Sequence, residues 1–242
     1  PQIPQGKFNV IPTGHLKYAL LSNRSFTRAM NIWRDNELDP DMKLDENDPS
    51  LAFVFSKGAF LGVNQVSGIV GADLANLIKP KDFNELTAVN ALIRDGGDPK
   101  NKEVIEQYNF LKNNPDKVTI DEQIKPILAE THGYLLYEEQ MMMLLTEIGG
   151  FEWSAADKFR SSLKKGKGDV IDTYEAPFIE QASIKFGVSK EVASKWYQPL
   201  RDKRGRFVFN KAHAASYAHV GVRQCWLKTH YPANYAAELF CD

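Results

Sequence analysis

The sequence predicts a mainly α protein with a small β-containing N-terminal part. Three observations carry that expectation: apolar residues recur at helical spacing through most of the chain, capping signals punctuate those stretches, and strand signals are short and few. The first strand candidate, residues 6–11 (GKFNVI), is bounded by Gly6 and Pro12. Residues 35–50 (DNELDPDMKLDENDPS) are polar and acidic and read as a linker. A second strand candidate, SLAFVF at 50–55, follows at once.

Downstream the helical period takes over. At 82–93 Asp82 stands as N-cap with Glu85 three residues on, a capping box, and Leu86, Val89, Ala91, Leu92 and Ile93 form one stripe. Residues 134–150 predict a second helix, stopped by Gly149-Gly150. Ser154 with Asp157 predicts another capping box for a helix over 154–165, and helices at 175–187 and 189–200 follow, the latter capped by Ser189. A last strand candidate at 205–209 precedes a long helix over 212–230, which ends before Pro232, and a short helix closes the chain.

Composition is that of a globular protein large enough to bury a core, with 43% hydrophobic and 25% charged residues over 242 positions. The net charge of -1 conceals an asymmetry: residues 1–150 hold 15 Lys and Arg against 21 Asp and Glu, whereas residues 151–242 hold 15 against 10. An acidic body with a basic face is one way to present a surface to phosphates, and drift of charge along the chain is the plain alternative. Two isolated cysteines, Cys225 and Cys241, exclude a disulfide framework and point to a reducing, cytoplasmic home. No apolar run approaches the roughly 18–20 residues that span a bilayer, and no signal peptide opens the chain. The start at Pro1, without Met, suggests a fragment or a processed piece.

Metal readings fail on pattern. Asp39, Asp41, Asp45 and Asp48 lack the glycine and closing glutamate of a calcium loop. His213 and His219 lie six apart, about 240° around a helix, so they face different ways; His219 reads as a core residue. The basic stretches are more informative. RSSLKKGKG (160–168) places Arg160 and Lys164 on one face and adds Lys165 and Lys167 around two glycines, either as a cationic helix end or as a phosphate site. RDKRGRF (201–207) gathers Arg201, Lys203, Arg204 and Arg206 in a turn that is solvated or leans on a nucleic-acid backbone. Asn210 then reads as the N-cap of the long helix, with Lys211 and His213 in its first turn. Cations there oppose the macrodipole, so the arrangement is either an anion site or a strained helix start over a core histidine.

Taken in order, ILAETHGYLLYEEQMMMLLTEIGGFEWSAADKFRSSLKKGKGD (127–169) and FNKAHAASYAHVGVRQCWLKTHYPANYAAELF (209–240) resemble the fingers domain of C-family replicative DNA polymerases, the type of the bacterial DNA polymerase III α subunit. The matching family motifs are T-Y-G-x-x-x-Y-Q-E-Q-V-M, A-D-x-L-R-R-A-M-G-K-K, F-N-K-S-H-A-x-x-Y and L-K-x-x-Y-P-x-x-F-x-A-A. More loosely, GVNQVSG (62–68) is similar to G-V-F-Q-L-E-S, LTAVNALIRDGGDP (86–99) to A-L-x-R-P-G-P, and GKFN (6–9) to the palm strand that carries a third catalytic aspartate.

The resemblance implies a helical fingers domain over 61–242, preceded by an end-of-palm segment and acidic linker over 1–60. It implies that Arg94, Arg160, Lys164, Lys165, Lys167, Asn210, Lys211 and His213 bind the incoming dNTP's phosphates. Arg201, Lys203, Arg204 and Arg206 would touch the DNA backbone, and His213 would donate a hydrogen bond or proton towards pyrophosphate. The expected partners are template-primer DNA, dNTP and the palm-bearing remainder of the polymerase, with a processivity clamp or an inhibitor protein as further candidates and no membrane. Mg²⁺ is expected in the complete polymerase and no cofactor in this chain. The departures point to a divergent member, such as one from a bacteriophage. Asn9 replaces the third aspartate, Ser161 the second of two arginines with Lys158 or Lys164 as candidate replacement, Asn64 and Ser67 alter the glutamine motif, and Glu138 stands in Y-Q-E-Q. The family's metal-binding D-x-D aspartate pair also has no counterpart in this sequence, so the isolated chain is expected not to polymerise; the alternative is a polymerase-derived nucleic-acid or protein-binding module without catalysis.

Overall fold

The computed structural model describes residues 24–39, 41–46, 48–93, 102–165, 167, 169–203 and 208–240. The strand expected at 6–11 and Asn9 lie outside these residues. Helix α1 (Arg24–Asp35) leads into the acidic segment, whose described residues between Asn36 and Asp48 are turns and irregular backbone, while its last two residues, Pro49 and Ser50, are helical. The SLAFVF strand is corrected: it lies in helix α2 (Pro49–Ser56). Its β-forming composition loses to a start signal just upstream, where the Asp48 carboxylate accepts a hydrogen bond from Ser50 N at 2.8 Å and Pro49 occupies the first turn. Leu51, Val54 and Phe55 are then buried at helical spacing while Phe53 faces solvent.

Helix α3 (Ile69–Ile78) turns sharply into α4 (Phe83–Ile93) through Lys79, which sits at φ 49°. The Asp82 cap holds: its carboxylate accepts from Glu85 N at 2.9 Å, while Glu85 reaches back to Lys81 N at 2.8 Å. Helix α5 (Lys102–Asn113) and the short α6 (Lys125–Leu128) follow. Helix α7 (Glu138–Met143) widens into a π turn over Leu144–Ile148, and α8 (Trp153–Lys164) begins from Glu152 instead of the expected Ser154 cap. Helix α9 (Val170–Phe186) is longer than the 175–187 expectation, and α10 (Lys190–Arg201) keeps the Ser189 cap. The long α11 (Lys211–His230) and α12 (Pro232–Phe240) complete the fold. No strand is present among the described residues, and no helix among them is long and apolar enough to cross a membrane.

Two main cores organise these helices. One joins α2, α3, α4, α5 and α11 as far as Cys225, and includes Leu51, Phe55, Leu86, Val89, Tyr108 and Val222. Residues on both sides of position 60 contribute to it, so the division drawn there does not coincide with a break in this core. Ala214, Ala218 and Gly221 let α11 approach α4 closely; a Cβ on Gly221 would lie 2.9 Å from Leu86 Cδ2. The second core joins α6 to α10 around Leu145, Phe159, Phe178, Trp196 and Tyr197. Trp33, Leu227 and Tyr235 anchor a smaller third cluster.

The seam between the two main cores is the segment before α7, and here the helix expected from residue 134 is corrected. Residues 134–137 are extended: Phe209 N donates to Leu136 O at 3.1 Å and Glu138 N donates to Phe209 O at 2.9 Å, a parallel bridge between Tyr137 and Phe209. Tyr134, Leu136 and Tyr137 enter the first core and Leu135 the second, so this segment joins the two. His132 (φ 53°) and Gly133 (φ 83°) turn the chain into this segment, which stops a helix from starting earlier. Of the strand expected at 205–209, the described part is this single bridge at Phe209.

Candidate phosphate-binding site

Because the bridge is parallel, it delivers the N-termini of α7 and α11 side by side. Each helix start carries unpaired N–H groups, and the side chains around them belong to four elements. Asn210 is the N-cap of α11 as expected: its side-chain oxygen accepts from His213 N at 2.8 Å. Replacing Asn210 with Ala is expected to lower stability by about 1 kcal/mol, read as a shift in the urea midpoint at constant slope.

The expected conflict between cations and the α11 dipole is resolved inside the molecule. Glu139, in the first turn of α7, points its carboxylate at the α11 start. Its Oε2 accepts from Lys211 N at 2.8 Å, and its Oε1 accepts from Asn210 Nδ2 at 3.0 Å and Ala212 N at 3.4 Å. The Lys211 ammonium is paired with Glu130 at 2.6 Å. An anion therefore does occupy the helix start, and it is a glutamate.

The neighbouring Glu138 pairs instead with side chains in the C-terminal half of α8. Its side chain is 6% exposed, with Oε2 at 3.0 Å from Arg160 Nη1 and Oε1 at 3.2 Å from Lys164 Nζ. Arg160 also donates to Asp157 from Nε at 2.9 Å and Nη2 at 2.7 Å, and these hydrogen bonds first, then Glu138, hold its pKa above the ordinary arginine value. Lys165 and Lys167 are exposed and make no ion pair among the described residues. The His213 ring stands edge-on to Tyr217, with ring centres 4.8 Å apart, half-buried and beside Phe209.

Of the expected phosphate ligands, then, Arg160, Lys164, Asn210 and Lys211 converge through the adjacent Glu138 and Glu139, with His213 one turn into α11. Lys165 and Lys167 extend the patch beyond α8. Arg94 lies outside the described residues, as do Arg204 and Arg206 of the expected DNA-contacting turn. Arg201 ties α9 to α10, with Nη2 at 2.7 Å from both Glu175 and the Ser194 hydroxyl, and the hydrogen bond to Glu175 raises its pKa. Lys203 is a correction. It is 2% exposed, with its ammonium 3.7 Å from the centre of the Tyr134 ring, so it reaches no DNA backbone from this position. His219 is corrected too: it is exposed, 3.4 Å from Glu46 and tilted against the Phe83 ring, so it lies outside the core.

The residues missed from sequence are the acidic ones. A helix drawn from residue 134 puts Glu138 and Glu139 in its second turn, where nothing marks them as partners of a helix start. Once it starts at 138, both fall in a first turn, where carboxylates are favoured. Nothing local marks Glu130 as the Lys211 partner, since 81 residues separate them.

Comparison with known proteins agrees with the motif pattern. The family model for the bacterial DNA polymerase III alpha subunit finger domain matches residues 25–185. DNA polymerase III subunit alpha of Halalkalibacterium halodurans is 31% identical over 198 residues, covering 81% of this chain and 17% of the relative. The subunit of the same name from Saccharopolyspora erythraea is 32% identical over 214 residues, 85% of this chain and 17% of its own length. That of Escherichia coli K12 is 32% identical over 171 residues, 68% of this chain and 14% of its own. The chain thus spans about a sixth of the length of these relatives.

Proposed function

The chain belongs to the family of the bacterial DNA polymerase III alpha subunit finger domain, and from that premise we propose that its cationic site binds the triphosphate of the incoming dNTP during DNA-templated synthesis. The single observation that carries the reading is the convergence at the Tyr137–Phe209 bridge. The α11 N-terminus with the Asn210 amide and Lys211, and the Arg160 and Lys164 cations of α8, are drawn together through the consecutive Glu138 and Glu139. A triphosphate needs amide donors for oxygens that stay put and mobile cations for charge that shifts towards pyrophosphate. Lys165 and Lys167 extend the same field outward. Template-primer DNA and the palm-bearing remainder of the polymerase are the partners this reading calls for.

The complete reaction calls for Mg²⁺, which neutralises the phosphates and activates the primer hydroxyl. The described residues do not fit that group. No three potential metal ligands converge among them, and the carboxylates at the site face arginine and lysine. What this chain's residues do is bind and orient: the α11 amides and Asn210 fix oxygens, and Lys211, Arg160 and Lys164 counter charge.

A second reading is favoured by one observation, that each of Lys211, Arg160 and Lys164 already has a carboxylate partner. Such a network also suits a binding module in which the ions are purely structural. The Lys211→Ala variant separates the two in a polymerase that contains this segment. Loss of a phosphate ligand is expected to raise the apparent KM for dNTP about 10-fold, measured by steady-state incorporation. An unchanged KM and kcat would remove Lys211 from the site and favour the structural network.

A further inference from the structure

We propose that Glu138 and Glu139 form an internal counter-anion that fills the phosphate site and must be displaced when a phosphate chain binds. The inference rests on the triphosphate reading above and adds a regulatory contact to it. Its basis is the identity of the donors. Glu139 takes the Lys211 and Ala212 amides together with the Asn210 amide nitrogen, the set that a helix N-terminus would offer to a phosphate. Glu138 takes one nitrogen of Arg160 and the ammonium of Lys164. An N–H group aimed at a carboxylate oxygen is not also aimed at a phosphate oxygen, so binding at these donors is an exchange and not an addition.

Charge argues the same way. Arg160, Lys164 and Lys211 are matched by Glu138, Asp157 and Glu130, and Glu139 adds a further negative charge at the α11 start. With all carboxylates ionised, the cluster carries more negative than positive charge until Lys165 and Lys167 are included. A phosphate chain arriving there meets like charge at short range, and the low exposure of Glu138 limits screening by solvent. The two glutamates are adjacent on one helix turn, so a single movement of the α7 start would release both sets of donors. The arrangement seen here is the state in which the protein's own carboxylates hold these donors, and phosphate competes with it for the same groups.

The probe is inorganic tripolyphosphate, titrated calorimetrically into the full chain. Removing one competing charge while keeping the side chain's shape, as in Glu138→Gln, is expected to tighten tripolyphosphate binding about 5- to 10-fold, and Glu139→Gln to act in the same direction. Lys211→Ala is expected to weaken it. If Lys211→Ala weakens binding but both glutamine variants leave it equal or weaker, the glutamates position the cations instead of competing, and the counter-anion falls while the phosphate site stands. If neither the wild type nor either glutamine variant binds tripolyphosphate, the phosphate reading and the inference fall together. A variant that fails to fold is bypassed on the wild type by NMR. Saturating tripolyphosphate is expected to shift the side-chain carboxyl carbons of Glu138 and Glu139 along with the Lys211 and Ala212 amides. Bound tripolyphosphate with unmoved glutamate signals would overturn the exchange.

Discussion

Gln140→Ala is expected to cost about 3–5 kcal/mol of stability, among the largest losses of any single side-chain truncation in this chain. Gln140 is buried, and its amide is fully used. Its Oε1 accepts from the Leu136 and Tyr137 backbone N–H groups, both at 3.0 Å, and its Nε2 donates to Ile127 O at 3.0 Å and Thr131 Oγ1 at 2.8 Å. Truncation leaves four buried groups short of a partner and opens a void at the seam between the two cores. Gln140→Met separates these effects: it fills most of the volume without polar atoms, so a loss that persists belongs to the hydrogen bonds. A Gln140→Met protein with wild-type urea midpoint would refute that attribution. The consequence reaches the site, because Leu136 and Tyr137 set the register that brings the starts of α7 and α11 together. Amide exchange at Leu136, Tyr137 and Phe209 is expected to quicken ahead of exchange in α4 or α10.

What could be read from the sequence follows the range of the interactions concerned. Caps act over three or four residues, so Asp82, Ser189 and Asn210 were legible, and with them the starts of α4, α10 and α11. The family was legible as well, and the family match over 25–185 agrees with it. The SLAFVF segment was misread because its apolar, aromatic composition says strand as readily as buried helix, and the decision lay in the Asp48-Pro49 pair before it. Residues 134–137 were misread for a tertiary reason: their partner in the bridge is Phe209, and no local signal announces a pairing over 72 residues. The same limit governed the charges. Basic runs stand out in a sequence, but whether a lysine faces solvent, a ring or a carboxylate depends on distant elements. Lys203 went under Tyr134, Lys211 to Glu130, and Arg160 and Lys164 to Glu138.

Glu85→Ala is expected to cost about 3 kcal/mol, again well above a typical ion-pair deletion, because the pair it breaks is buried. The Lys112 ammonium lies 2.8 Å from Glu85 Oε2, with side-chain exposures of 5% and 13%. Surface pairs such as Lys125 with Glu122, at half exposure or more, contribute well under 1 kcal/mol by comparison. Lys112 also donates to Ile78 O at 2.5 Å and Lys79 O at 3.3 Å, the carbonyls that end α3, so α5 fastens the turn between α3 and α4. Glu85 in turn accepts from Lys81 N within that turn. Removing the carboxylate leaves a buried ammonium with carbonyl dipoles but no counter-charge, and frees one end of the α4 cap. The size of the loss distinguishes this from simple decapping, for which about 1 kcal/mol suffices. Lys112→Met tests the other half: it deletes the charge but exposes the α3 carbonyls to an apolar neighbour. The double variant Glu85→Ala/Lys112→Met is expected to lose less than the sum of its parts, as two partners that share one interaction must. Additive losses in urea denaturation would show that the pair is not coupled and that the α3–α4 turn is held by its caps alone.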